Sequence, residues 1–346
     1  MQPTRFYEID LFRFISAIAV VIYHYTFVGW KLGRTPEFNF EMINAVTKYF
    51  YLGINFFFVI SGFVVLLSLH HGSAKKFALS RFIRLYPAYW VALITTTTIV
   101  VWFSGAQHTI TIGSFIANAT MFNSGMGILP IDGSYWTLWI ELQFYLLMLI
   151  ITVSGGLKYI EHILMGAAVV SLISLLSPQA ANVNMFTSLF PHWGGYFIAG
   201  CTFYVITQEG FSAYRGIIVG LSVAFILKQS VDFAALLTQW YGTEFNSTTV
   251  IIINLLFLML FAIIALFKSN PLRRPIWIRL GVLTYPLYLL HQEIGYVIMN
   301  RFALQIGKLE LVTITTVIAI VMAWFLHYGI EKPVSRWLKR HSALGV

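Results

Sequence analysis

Residues 85–131 read LYPAYWVALITTTTIVVWFSGAQHTITIGSFIANATMFNSGMGILPI, a stretch without a single Asp, Glu, Lys or Arg. A second such stretch runs from His162 to Gln208. At about 20 residues per crossing, each is long enough for two bilayer spans. The rest of the chain shares the bias. Its apolar fraction is 58%, and a soluble domain has roughly 45–50%. Only 10% of its residues are charged, where about 25% is usual. A soluble chain of 346 residues would need a polar surface that this composition cannot make. The chain reads as an all-α, polytopic membrane protein, a single membrane domain over residues 1–346.

Apolar runs fall near Leu11–Val28, Tyr49–Leu69, Tyr86–Ser104, Trp136–Val153, His162–Ser177, Ser188–Thr207, Arg215–Leu227, Thr249–Phe267, Leu280–Asn300 and Glu310–Ile330. These predict about ten transmembrane helices. Backbone groups in lipid must be satisfied within their own segment, and the period-2 alternation of a barrel is missing. The run after Arg215 is short and meets Lys228 and Asp232, one helical turn apart and able to pair. Thr109–Asn123 is moderately apolar and reads as an interfacial or re-entrant piece.

Loop charges set the orientation. Of the 22 Lys and Arg, sixteen fall on the side of the N-terminus: Arg5, Arg13, Lys75, Lys76, Arg81, Arg84, Lys158, Arg215, Lys268, Arg273, Arg274, Arg279, Lys332, Arg336, Lys339 and Arg340. The other side holds Lys31, Arg34, Lys48, Lys228, Arg301 and Lys308. The positive-inside rule then predicts both termini in the cytoplasm. The net charge of +9 is thus a topology signal, with membrane lipid as its partner and no nucleic acid. The first apolar run carries Arg13 and His24 and no small-residue cleavage site follows it, so it is expected to be retained as a helix.

Ionisable residues at membrane depth cost about 2.5–3.5 kcal/mol each on insertion scales and mark candidate sites. Arg13 and His24 lie eleven positions apart on one helix, about 16 Å. That puts Arg13 at the cytoplasmic edge and His24 in the outer half. Glu141 falls about 8 Å below the outer end of its own helix, in the same layer as His24, and a His–Glu pair would relieve both. Arg81 and Arg84, at i and i+3, present two guanidinium groups on one helix face, a pattern suited to phosphate and equally to a topology anchor. His291, with Glu293 close behind, reads as a site residue or as a packing residue.

Other features carry less. The single Cys201 excludes an internal disulfide and multi-cysteine metal sites, and in its apolar setting reads as a small packing residue or, less simply, an acyl carrier. There is no Gly-rich phosphate loop, no H-E-x-x-H and no metal pattern, and His70-His71 are too isolated for one. Asn118-Ala-Thr120 and Asn246-Ser-Thr248 match glycosylation sequons without supporting context.

Five segments in order resemble the acyltransferase-3 family of integral-membrane O-acyltransferases. They are Ile9-Asp10-Leu-Phe-Arg13 continuing to Tyr23-His24, Phe56-Phe-Phe-Val-Ile-Ser61-Gly62-Phe63, Arg81-Phe-Ile-Arg84-Leu-Tyr-Pro87, Trp136-Thr-Leu-Trp-Ile-Glu141-Leu-Gln143-Phe-Tyr145 and Tyr285-Pro-Leu-Tyr288-Leu-Leu-His291. Together they cover most of the chain. Two positions depart from the pattern: Phe12 and Phe14 stand where small residues are usual, and Leu142 follows Glu141 where a carboxylate pair is often found. The resemblance implies acetyl-CoA, or another acyl-CoA, as donor, and a carbohydrate or lipid-linked glycan as acceptor on the extracytoplasmic side of the cell inner membrane. It implies that Arg13, Arg81 and Arg84 hold the donor and that His24 is catalytic.

In that reading His24 deprotonates the acceptor hydroxyl and Glu141 orients it, or His24 carries the acetyl group itself. The rival reading is a proton-coupled transporter or flippase using the same His and Glu as a relay, against which the lack of an internal repeat counts. A non-catalytic scaffold fits poorly with so many polar residues in apolar helices.

Overall fold

The computed structural model describes residues 6–70, 72–103, 110–267 and 271–341. Arg5, His71, Ser104, Thr109 and Lys268, which entered the sequence expectations, lie outside the described residues. Along the described chain the main helices are α1 (Tyr7–Lys31), α2 (Gly53–His70), α3 (Ala74–Phe103) and α4 (Ile112–Ala119). Then come α5 (Trp136–Val153), α6 (Ile160–Leu176), α7 (Gly194–Glu209) and α8 (Ala213–Tyr241). The chain continues through α9 (Ser247–Leu266), α10 (Thr284–Leu290), α11 (Gln292–Phe302) and α12 (Lys308–Leu326). No strand occurs among the described residues.

Among those residues, eight helices are long and apolar enough to cross a membrane, where the apolar runs predicted about ten. The difference lies in two of the runs. Ser188–Thr207 becomes α7, only 16 residues long and buried continuously from Gly194 to Ile206. A helix enclosed by protein need not match the hydrocarbon thickness, so its length is not set by lipid. Leu280–Asn300 is interrupted at His291 and forms α10 and α11. In the opposite sense, the short run after Arg215 extends to the 29-residue α8, on whose surface Lys228 and Asp232 pair at 2.6 Å. The piece at Thr109–Asn123 holds the two-turn α4, started by a reciprocal Thr111–Ser114 capping box.

The chain divides into two compact units. One comprises Met1–Arg13, Leu52–Phe77 and Ile140–Trp277. Here α2 and α7 pack backbone to backbone: a side chain at Gly62 would lie 2.1 Å from the Phe197 carbonyl oxygen, and one at Gly200 would lie 1.9 Å from that of Val59. Such close approach by small residues drives helix association where lipid competes for apolar surface. Cys201 lies in this seam, buried, its thiol donating to the Gly62 carbonyl at 3.3 Å, which is the packing role. Around the seam, polar side chains join helices. Asn55 Nδ2 donates to Asn254 at 3.0 Å, and the Tyr196 hydroxyl reaches Gln229 at 2.5 Å and Ser230 at 2.8 Å. Arg215 holds Glu161 with two bonds of 2.8 and 2.9 Å, and Arg273 holds the fully buried Glu8 at 2.7 Å. Two cations counted as topology signals therefore also tie distant segments together.

The other unit comprises Phe14–Tyr51, Ala78–Trp139 and Ile278–Val346. A helix leaves its last carbonyls without internal partners. At the end of α4 these groups are taken up by aromatic donors of α3: Tyr89 donates to Asn118 O at 2.7 Å, Trp90 to Ala119 O at 2.8 Å and Tyr86 to Thr120 O at 3.0 Å. The Asn118 amide donates to Ser114 O and Leu129 O and accepts from Ile131 N–H. That side chain is completely buried, so the first sequon serves the fold. Asn246 of the second caps α9 by accepting from Thr249 N–H.

Candidate functional site

In the second unit, α1 changes character at His24. Residues His24–Val28 form a π-helical turn, in which the Gly29 N–H reaches back to the His24 carbonyl. Single π turns inside α-helices are frequent at functional sites, because the extra residue re-aims the side chains on it. Thr26 steadies the turn through its hydroxyl, bonded to Ile22 O and to Thr47 Oγ1, both at 2.8 Å. Gly29 closes it. A side chain there would stand 2.4 Å from the Thr35 hydroxyl and 2.9 Å from the Tyr296 ring.

His291 sits at the break where α10 ends and α11 begins. A break within an apolar run frees backbone groups that lipid cannot satisfy. Side chains come to several of the groups around it. The Tyr288 carbonyl receives His291 Nδ1 at 2.8 Å, and the Leu289 carbonyl receives the Tyr135 hydroxyl at 2.9 Å. The His291 carbonyl receives the Tyr25 hydroxyl at 2.6 Å and the Gly295 N–H at 3.0 Å. At the start of α11, Asp132 accepts from the Glu293 N–H at 3.1 Å, a carboxylate at a helix N-terminus. Asp132 is fully buried and also accepts from the N–H and hydroxyl of Ser134, at 2.9 and 2.6 Å. Burial raises its carboxyl above the usual carboxylate range, opposed by these hydrogen bonds and by the charge of Arg34. Arg34 in turn holds the Glu293 carboxylate.

These two interruptions bring the imidazoles together: His24 Nδ1 lies 2.9 Å from His291 Nε2. The rings are tilted by 44° with centroids 4.9 Å apart. His291 is completely enclosed, whereas His24 keeps 8% of its surface, so of the two only His24 has surface left to meet a substrate. The sequence expectation gave His24 a carboxylate partner. Its Nδ1 lies against an imidazole, supplied by the helix break.

Glu141 belongs to the first unit. Its carboxylate accepts from Ser61 at 2.8 Å and from Tyr145, one turn along α5. Ser61 and Tyr145 were both in the quoted motifs, and the hydroxyls explain how a carboxylate is held in an apolar helix. Gln143 of the same motif fixes a loop, donating to Thr187 O at 2.9 Å and accepting from Leu189 N–H at 3.1 Å. Arg13 is half-buried on the first unit's part of α1. Arg81 and Arg84 are half-buried in the second unit, one turn apart on α3.

In the sequence His291 stood out with its role open, Arg34 counted only as a loop charge, and Asp132 and Tyr25 were passed over. Asp132 and Arg34 lie outside every apolar run, and Tyr25 is one of 18 tyrosines, so none stood out. The signal for Asp132 was the Asp132-Gly133-Ser134 turn directly before α5. Gly133 leaves room for Gln292, whose amide would lie 2.5 Å from a side chain at that position.

Comparison with known protein families matches residues 6–328 to the family described as an acyltransferase domain, and the chain belongs to that family. Comparison with curated proteins and with solved structures gives no match.

Proposed function

We propose that this membrane acyltransferase moves an acetyl group from cytoplasmic acetyl-CoA to a carbohydrate hydroxyl on the extracytoplasmic side of the inner membrane. His24 carries the reading: a buried imidazole at a π turn that keeps a little exposed surface and is hydrogen-bonded through Nδ1, within a chain of the acyltransferase family. His24 takes the proton of the acceptor hydroxyl as that oxygen attacks the thioester carbonyl. The C–S bond breaks, the ester C–O bond forms, and the thiolate leaves as CoA after recovering the proton. Arg81 and Arg84, spaced to present both guanidinium groups together, hold the donor phosphates, and Arg13 is proposed as a further donor-binding residue. Glu141, held by the hydroxyls of Ser61 and Tyr145, is the second residue proposed for the catalytic step.

The test is thiol release from acetyl-CoA by purified protein supplied with a glycan mixture. The expected result is release that depends on glycan and falls by about 10³-fold or more in His24→Ala, with normal amounts of protein in the membrane. Undiminished release in His24→Ala would remove the proposed base. Accumulation of glycan in vesicles without thiol release would replace the enzyme by a transporter.

A further inference from the structure

We infer that His291 is a positioning residue that fixes the tautomer of His24, so that the base acts through Nε2. This rests on the reading of His24 as the general base. It follows from counting protons along one chain of hydrogen bonds. The Tyr288 carbonyl can only accept, so His291 Nδ1, 2.8 Å away, carries a hydrogen. A neutral imidazole has one N–H, which leaves His291 Nε2 as an acceptor. His24 Nδ1, 2.9 Å from that nitrogen, must then be the donor. The remaining ring nitrogen of His24, Nε2, holds the lone pair.

The arrangement parallels hydrolytic triads, where a buried partner on Nδ1 decides which nitrogen is basic. Here that partner is a neutral ring and not a carboxylate. When Nε2 takes the hydroxyl proton, the His24 imidazolium already donates from Nδ1 to His291 Nε2, and the charge is shared along the same bond. His291 is itself locked at both ends. Its carbonyl is held by Tyr25 and Gly295, its ring nitrogen by Tyr288 O, and it has no exposed surface to rotate into. The tautomer is thereby set by the break after α10, through a carbonyl that an unbroken helix would have used internally.

The experiment compares His291→Phe, which keeps a ring and removes the acceptor, with His291→Gln, which restores an acceptor oxygen near the Nε2 position. Purified variants are assayed for acetyl-CoA-dependent thiol release. Phe is expected to lower kcat by about 10²- to 10⁴-fold with the donor KM little changed, while Gln stays within about 10-fold of wild type. Equal kcat in the two folded variants, whether high or low, would overturn the proposal. If His24→Ala is inactive and His291→Phe is fully active, this inference fails and the base survives; an active His24→Ala removes the base itself. Should the Phe variant fail to accumulate, ¹⁵N spectra of histidine-labelled wild-type protein decide the matter. A His24 ring protonated at Nδ1 is expected, and one protonated at Nε2 would refute it.

Discussion

The two units bury polar side chains in different ways. In the first, Asn55, Asn254, Tyr196, Gln229 and Ser230 sit on unbroken helices and bond to one another across them. These groups act as links between segments that are already complete. In the second, His24, His291, Asp132 and Tyr135 gather where helices are interrupted: the π turn of α1, the break before α11 and the turn before α5. There the side chains complete the backbone itself. An interruption releases carbonyl and N–H groups, and the residues that satisfy them are pinned in consequence. A polar link holds helices together, whereas a pinned interruption aims a ring.

Three substitutions would break or sharpen this contrast. The largest stability loss is expected from Gly200→Ala, whose new carbon would stand 1.9 Å from the Val59 backbone oxygen. Backbone cannot swing aside as a side chain can. A loss of about 3 kcal/mol in detergent unfolding is predicted, with the activity of the remaining folded protein intact. A wild-type unfolding midpoint would show that α2 and α7 separate freely, against the seam described.

Gly295→Ala addresses the second unit. Its new carbon would meet the Tyr25 hydroxyl at 2.3 Å, displacing the donor to the His291 carbonyl. Stability should fall by only about 1–2 kcal/mol, yet kcat by roughly 10- to 100-fold, since a ring misplaced by an ångström loses its geometry. If activity falls no further than the folded fraction, the interruption has no special bearing on the site.

The smallest effect is expected from the polar links. Asn55→Leu removes the donor to Asn254, and interhelical hydrogen bonds of this kind average about 0.6 kcal/mol, with a maximum near 1.7. Thermal unfolding should shift slightly and kcat in the folded protein should not change. A large loss of kcat with unchanged stability would make the link part of the site.

How far the sequence reaches is clear from particular residues. Lys228 and Asp232 lie four apart, and their pairing needed only helical geometry. The membrane class needed only composition, and the order of the five motifs pointed to the family to which residues 6–328 belong. Glu141 was marked by its depth in an apolar run, but its pairing with Ser61 was not, because Ser61 is 80 residues away along the chain. The expectation that His24 and Glu141 share a layer rested on depth along two helices.

By itself the sequence determined that the chain is helical and meant for lipid, because the transfer free energy of apolar side chains adds up residue by residue and requires no partner. It also determined which ionisable residues stand out against that background. The tertiary structure decided what they are bonded to. His24 and His291 are 267 residues apart and meet only because a π turn and a helix break each re-aim a ring. Such interruptions are fixed by distant groups, the Tyr25 and Tyr135 hydroxyls and the Asp132 carboxylate, that answer the freed backbone. A hydrogen bond is a relation between two positions in space, and hydropathy along a chain carries no record of it.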